Sequence, residues 1–216
     1  MTTTVKKLFN KFGIAEFYQV QWNTTFNETE QGVYIVSTSN DADKNLGITD
    51  KPTFDDQQIE LWISKLPDFK VDGITANLKI VKNRLTNFWL PDESILYIGK
   101  APTRISKKGI KSGISKRVSE YYKTKIGNRS PHSGGQWIKA LKDLNTFTVY
   151  YGCCNKPAET ESKMLEFFMS NVSKSTLSKL HDKDLPIPFA NLKFSIDKKH
   201  GLENQRLKKG TSKILI

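Results

Sequence analysis

Short apolar stretches of strand length punctuate the chain. Residues 17–22 alternate apolar and polar, and Gly32-Val33-Tyr34-Ile35-Val36 is a β-branched run introduced by glycine. Ile95-Leu96-Tyr97-Ile98-Gly99 is a second apolar run that ends at glycine, and Phe147-Thr148-Val149-Tyr150-Tyr151 alternates again. The intervening segments carry helical spacing. Residues 5–12 open the chain with it. Ile59, Trp62, Ile63 and Leu66 fall at i, i+3, i+4, i+7 behind a cap at Thr53 and before Pro67, and Leu78, Val81, Leu85 and Phe88 share one face. Ile114, Val118 and Tyr121 line a helix that also carries Arg117, and Trp137, Ile138, Leu141 and Leu144 line another. A helix from about Ala158 places Glu161, Leu165 and Phe168 together. The expected fold is α/β of the α+β kind: a small, mainly antiparallel central sheet flanked by helices, with a helical insertion. Residues 1–30 read as an N-terminal extension, 31–192 as the core with a polar, helix-bearing excursion at 39–92, and 193–216 as a basic tail.

Composition narrows the class. A chain of 216 residues can bury one sizeable core, and its 37% hydrophobic content is that of an ordinary globular protein. No apolar run reaches the roughly 20 residues that span a bilayer, and the first residues lack the form of a secretory signal, so the expected location is cytoplasmic and away from membranes. Cys153 and Cys154 are adjacent, where disulfide geometry is hard to reach and no zinc site can be built from two thiols alone; they read as strand residues.

Charge points to a polyanion. The formal net charge is +12, and a large positive excess favours nucleic acid through counterion release and long-range attraction. Between Lys100 and Ser130 stand ten Lys or Arg against one acid, Glu120, and from Lys193 onward seven against two. Arg104, Lys107, Lys108, Lys111, Lys116 and Lys123 are the candidate contacts to nucleic acid in the first cluster, and Arg206, Lys208 and Lys209 in the tail. A well-solvated surface would carry the same charges. His132 lies in a Pro-His-Ser-Gly-Gly loop before a helix, where backbone amides can grip phosphate or serve only as a turn and cap.

An ordered set of short motifs adds chemistry. Gly32-Val33-Tyr34, then Tyr97-Ile98-Gly99-Lys100, then Arg117 within Ser-Lys-Arg-Val, then Glu161 within Ala-Glu-Thr-Glu-Ser-Lys-Met-Leu, and finally Asn191 within Pro-Phe-Ala-Asn follow one another in an order that resembles the GIY-YIG nuclease family. The flanking runs Phe88-Trp89-Leu90-Pro91-Asp92-Glu93 and Ser130-Pro131-His132-Ser133-Gly134-Gly135 are similar to a bacterial subgroup of that family. The resemblance covers residues 32–191. The family joins its two tyrosine strands by a short link, whereas about sixty residues intervene here, an insertion whose closure entropy is small.

What the resemblance implies is metal-dependent hydrolysis of DNA. Such a reaction needs a nucleophilic water, stabilisation of added charge on the phosphate and help for the departing 3′ oxygen. On this reading Glu161 is the ligand of Mg²⁺ or Mn²⁺, since a hard ion prefers carboxylate oxygen and keeps most of its water. Helical geometry selects it: Glu161 shares the inward face with Leu165 and Phe168, while Glu159 and Glu166 project away. Arg117 grips the scissile phosphate with a permanently charged fork. Tyr34 activates the water, with Lys100 supplying the charge that an ordinary phenol of pKa near 10 requires. Tyr97 shapes the site, Tyr121 either assists proton transfer or packs, and Asn191 contacts the substrate. Double-strand cleavage by so small a site would call for a homodimer. A nucleic-acid-binding protein with an inactive core is the competing reading, and RNA cleavage a third, weakened by the want of paired histidines.

Overall fold

The computed structural model describes residues 2–109, 111–128, 133–180 and 182–194. Its centre is a four-stranded antiparallel sheet built from β1 (Tyr18–Gln21), β2 (Gly32–Ser37), β5 (Ile95–Ala101) and β8 (Thr148–Cys153), in the order β1-β8-β2-β5. Between them in sequence lie two short hairpins, β3 (Lys70–Val71) with β4 (Ile74–Thr75) and β6 (Arg104–Ile105) with β7 (Lys111–Ser112). Every residue of β2 is buried, so it occupies the middle and reads as a continuous apolar run. The α+β architecture anticipated from periodicity is the one observed.

Helices cover both faces. α1 (Val5–Lys11) and α6 (Pro157–Asn171) pack on the side of Val33, Ile35, Ile98 and Tyr150. α4 (Ile114–Tyr122) and α5 (Ser133–Lys139) pack on the other, against Tyr34, Val36 and Val149. Proline at the start of α6 costs nothing, because that position donates no intrahelical bond.

The segment at 39–92 departs from its expected character. It is no polar excursion: α2 (Asp56–Ser64) and α3 (Leu78–Thr86) send Ile59, Trp62, Val81 and Leu85 into the same core that Trp137 and Phe189 fill. Asp55, whose carboxylate accepts from the Gln58 amide, caps α2 in place of Thr53. The residues taken as an N-terminal extension are also integral, since β1 pairs with β8 and α1 buries Leu8 and Phe9 completely. α5 stops at Lys139 rather than running to Leu144, because Leu141 is drawn into a bridge with Phe54. A last short helix, α7 (Lys174–Lys179), is capped by Ser173. Cys153 ends β8 with its side chain exposed and Cys154 follows it, both as free thiols. Among the described residues no helix is long and apolar enough to cross a membrane.

Candidate active site

The sheet brings the two tyrosine motifs side by side. β2 and β5 are neighbours, with Tyr34 opposite Gly99 and Val36 opposite Tyr97, so regular alternation puts both tyrosines on the α4 face; the register shift after Val36 skips Leu96 and brings it onto that face too. Gly99 is required by contact: a Cβ there would lie 2.5 Å from Tyr97 Cε1 and 2.7 Å from Tyr34 Cζ. Tyr121 of α4 closes the cluster, its ring centroid 4.8 Å from that of Tyr97 and 6.1 Å from that of Tyr34, while Tyr34 and Tyr97 are 5.7 Å apart.

These phenols differ in depth. Tyr34 and Tyr121 are buried, whereas Tyr97 is half-buried at the edge. Burial pushes Tyr34 and Tyr121 well above the ordinary phenol range, and it pushes Tyr97 to about 12, with the Glu161 carboxylate adding to the effect. All three are neutral donors near neutral pH. The Tyr34 hydroxyl is enclosed and makes no well-formed hydrogen bond among the described residues.

Arg117 and Glu161 reach the cluster from opposite sides of the sheet. The Arg117 charge acts to lower both Tyr34 and Tyr97, and its side chain is 20% exposed, 3.6 Å from Glu120. Glu161 projects from α6, as its helical face required, while Glu159 and Glu166 point to solvent. Its carboxylate is 17% exposed and one oxygen accepts from Lys100 Nζ at 2.7 Å. Tyr97 therefore feels both charges, the carboxylate raising it and the guanidinium lowering it. Lys100 does not take the part expected of it toward Tyr34: strand alternation sends it to the α6 side, and the cation acting on Tyr34 is Arg117.

Asn191 is likewise committed elsewhere. It is buried, its Oδ1 accepts from the Ile98 amide at 2.9 Å and its Nδ2 donates to the Ile98 carbonyl at 2.8 Å, while the Ala190 amide donates to the Leu96 carbonyl. This clasp covers the open edge of β5 on either side of Tyr97, so Asn191 positions the strand and presents no amide to a substrate.

The predicted basic contacts fall on the β6–β7 hairpin and on α4. Arg104 and Lys111 stand on the β6–β7 hairpin, paired with Glu120 and Glu30, and Lys107 and Lys108 are exposed at its tip. Lys116 and Lys123 are exposed on α4. His132 and the tail residues Arg206, Lys208 and Lys209 lie outside the described residues. Sequence reasoning missed Phe26, whose ring stacks on Tyr151 at 4.3 Å. An isolated aromatic in a polar loop has no periodicity to reveal it, and the Asn-Thr-Thr-Phe-Asn run is the only cue.

A hard divalent ion that keeps most of its own water fits Glu161, a partly exposed carboxylate with one oxygen not held by Lys100. Among the described residues no three His, Cys, Asp or Glu side chains gather into a fuller ligand set. The chain matches no family model, no curated protein and no solved structure.

Proposed function

We propose that the chain is a metal-dependent DNA endonuclease that hydrolyses phosphodiester bonds at the cleft of Tyr97, Arg117 and Glu161. The observation that carries this reading is that a carboxylate and a guanidinium, from helices on opposite faces of the sheet, both act on one half-buried tyrosine of its edge strand. The motif order that resembles the GIY-YIG family and the net charge of +12 support it.

Each residue has a task. Arg117 binds the non-bridging oxygens of the scissile phosphate and offsets the charge that builds on them. Glu161 holds Mg²⁺ or Mn²⁺, with Lys100 fixing the carboxylate's orientation. Such an ion, when bound, supplies Lewis-acid stabilisation of the phosphate and of the departing 3′ oxygen and makes a water easier to deprotonate. Tyr97, neutral and reachable from the edge, orients the attacking water through its hydroxyl. Tyr34, first expected in that part, is enclosed behind Tyr97 and acts by holding the ring and polarity of the site.

The test is plasmid nicking with Mg²⁺ or Mn²⁺, with chelator, and with Glu161→Gln. Metal-dependent cleavage abolished by Glu161→Gln, with DNA affinity retained, is the expected result; cleavage unaffected by that change removes the assignment. The Lys100–Glu161 pair, which balances the carboxylate's charge without a metal, favours a second reading as a nucleic-acid-binding protein with an inactive core. DNA binding without metal-dependent cleavage would establish it.

A further inference from the structure

On the solvent side of α4 runs a groove of about 400 Å³, lined on one side by Ser115, Lys116, Ser119 and Lys123 and on the other by the loop 23–26. Its lining contains two lysines, hydroxyls from Ser119, Thr24 and Thr25, the Asn23 amide, Tyr122 and the ring of Phe26, and no acid; the Ser115 hydroxyl is committed to the Glu28 carbonyl. Glu28, whose charge reaches Tyr151, is not part of it.

We infer that this groove binds a single strand of nucleic acid, with its phosphates on Lys116 and Lys123 and a base stacked on Phe26. The cations supply the sequence-independent attraction, and hydroxyl and amide donors fix the phosphate oxygens. Phe26 argues for a strand rather than a duplex. Its ring is stacked on Tyr151, 4.3 Å away at an interplanar angle of 19°, and a base can cover an aromatic ring only when its own face is free of a neighbour. A duplex hides those faces.

Direction follows from the neighbouring surface. A larger groove shares Asn23 and Tyr122 with this one but sets Asp55, Asp56 and Asp143 against Lys139 and Lys142, a balance less favourable to a phosphate chain than lysines with no acid. The other end leads along α4, where Lys116 adjoins Arg117 and about 10 Å of helix separates it from Lys123. A strand lying there is fed toward the cleft. The groove thus names the form of substrate, a junction or end with an unpaired strand, and that naming rests on the phosphodiesterase reading of the cleft.

Binding and cleavage separate the two ideas. Fluorescence anisotropy with a labelled oligo(dT), in chelator and at low salt, reports the groove alone; the matching duplex and oligo(U) serve as comparisons. The single strand, oligo(dT) or oligo(U), is expected to bind more tightly than the duplex. Lys116→Ala with Lys123→Ala should reduce the slope of log affinity against log salt by about 1.4. Phe26→Leu, which keeps an apolar side chain against Tyr151, should weaken the single strand about tenfold and leave the salt slope unchanged. Equal affinity for duplex and single strand, or Phe26→Leu binding as well as the parent chain with the same thermal unfolding, overturns the proposal. Loss of nicking with these affinities intact would instead count against the cleft.

Discussion

The two faces of the central sheet treat the same side chain differently. Tyr150, on the α1 and α6 side, donates its hydroxyl to the Ser39 carbonyl at 3.0 Å and so ties the strand to the loop after β2. Tyr34, on the α4 side of the adjacent strand, is just as enclosed, yet its hydroxyl has only the Tyr97 hydroxyl beside it, at poor geometry, and no backbone carbonyl to donate to among the described residues. An enclosed hydroxyl left so costs about 1–3 kcal/mol, and phenylalanine would fill the space without that cost. A fold that satisfies one phenol and leaves the other is paying for something other than packing. On the α4 face Tyr34 lies beside Tyr97 and within the field of Arg117; the interior of the α6 face, carrying Val33, Ile35, Ile98, Met164 and Phe168, is apolar, and its charges, Lys100 and Glu161, are confined to the rim.

The contrast is broken most severely at the two charges. Glu161→Gln or Arg117→Ala should lower metal-dependent nicking by about a thousandfold or more while leaving the melting temperature within a few degrees. Both residues keep part of the side chain exposed, and neither belongs to the apolar clusters on the two faces of the sheet. A matching loss of stability in either variant would assign these charges to folding and dissolve the distinction between the faces.

Glu93 is where the α1 side itself offends the rule. Its carboxyl is buried beside Thr3, and desolvation raises it from the ordinary value of 4.5 to about 8. Below pH 4.5 the group is neutral in folded and unfolded chains alike. Between about 4.5 and about 8 the fold retains a proton that the unfolded chain gives up, so stability falls as pH rises, and above about 8 the loss is complete. Denaturant midpoints measured across that window should decline for the parent chain by the equivalent of a few kcal/mol, and Glu93→Gln should flatten the profile. A parent profile that is already flat would show the carboxylate to be paired or hydrated.

Tyr97 and Tyr34 then divide the α4 face by depth. Tyr97→Phe should reduce turnover about a hundredfold, since it removes the hydroxyl reachable from the edge. Tyr34→Phe should cost no more than about tenfold and raise stability by about 1 kcal/mol, because the hydroxyl it deletes is enclosed. Turnover lost in the opposite order would return the water-orienting part to Tyr34. The salt of the reaction is best held constant between variants, as affinity for DNA depends on it steeply.

Much of this was readable beforehand, for identifiable reasons. The strands at 32–37 and 95–101 and the inward placement of Glu161 follow from periods of two and 3.6, which are local properties. What was not readable depends on depth or on distant partners. Strand parity assigns Tyr34 to a face but not to the bottom of it, and nothing near Lys100 in sequence shows that Glu161 will take its charge. Asn191 resembled a substrate contact until the edge of β5 was seen to need it. The β3–β4 hairpin is a different case. Its Asp72-Gly73 turn, with both residues at positive φ, is a strong two-residue hairpin signal, but strands of two residues give periodicity nothing to register.

The smallest effect tests the satisfied side of the comparison. Tyr150→Phe deletes a hydroxyl that donates to Ser39, leaving the carbonyl without that donor, and should cost about 1 kcal/mol. Ser39 also ties Asp41 and Lys44 through its hydroxyl, so the loop at 39–44 should loosen first, seen as faster amide exchange there than in β2. Nicking should be unchanged, because β8 and β2 are held together by their full ladder whether or not this hydroxyl is present. Were turnover to fall with Tyr150→Phe as it does with Tyr97→Phe, the two faces would be one mechanical unit, and the separation of a stabilising face from a reactive one would have to be abandoned.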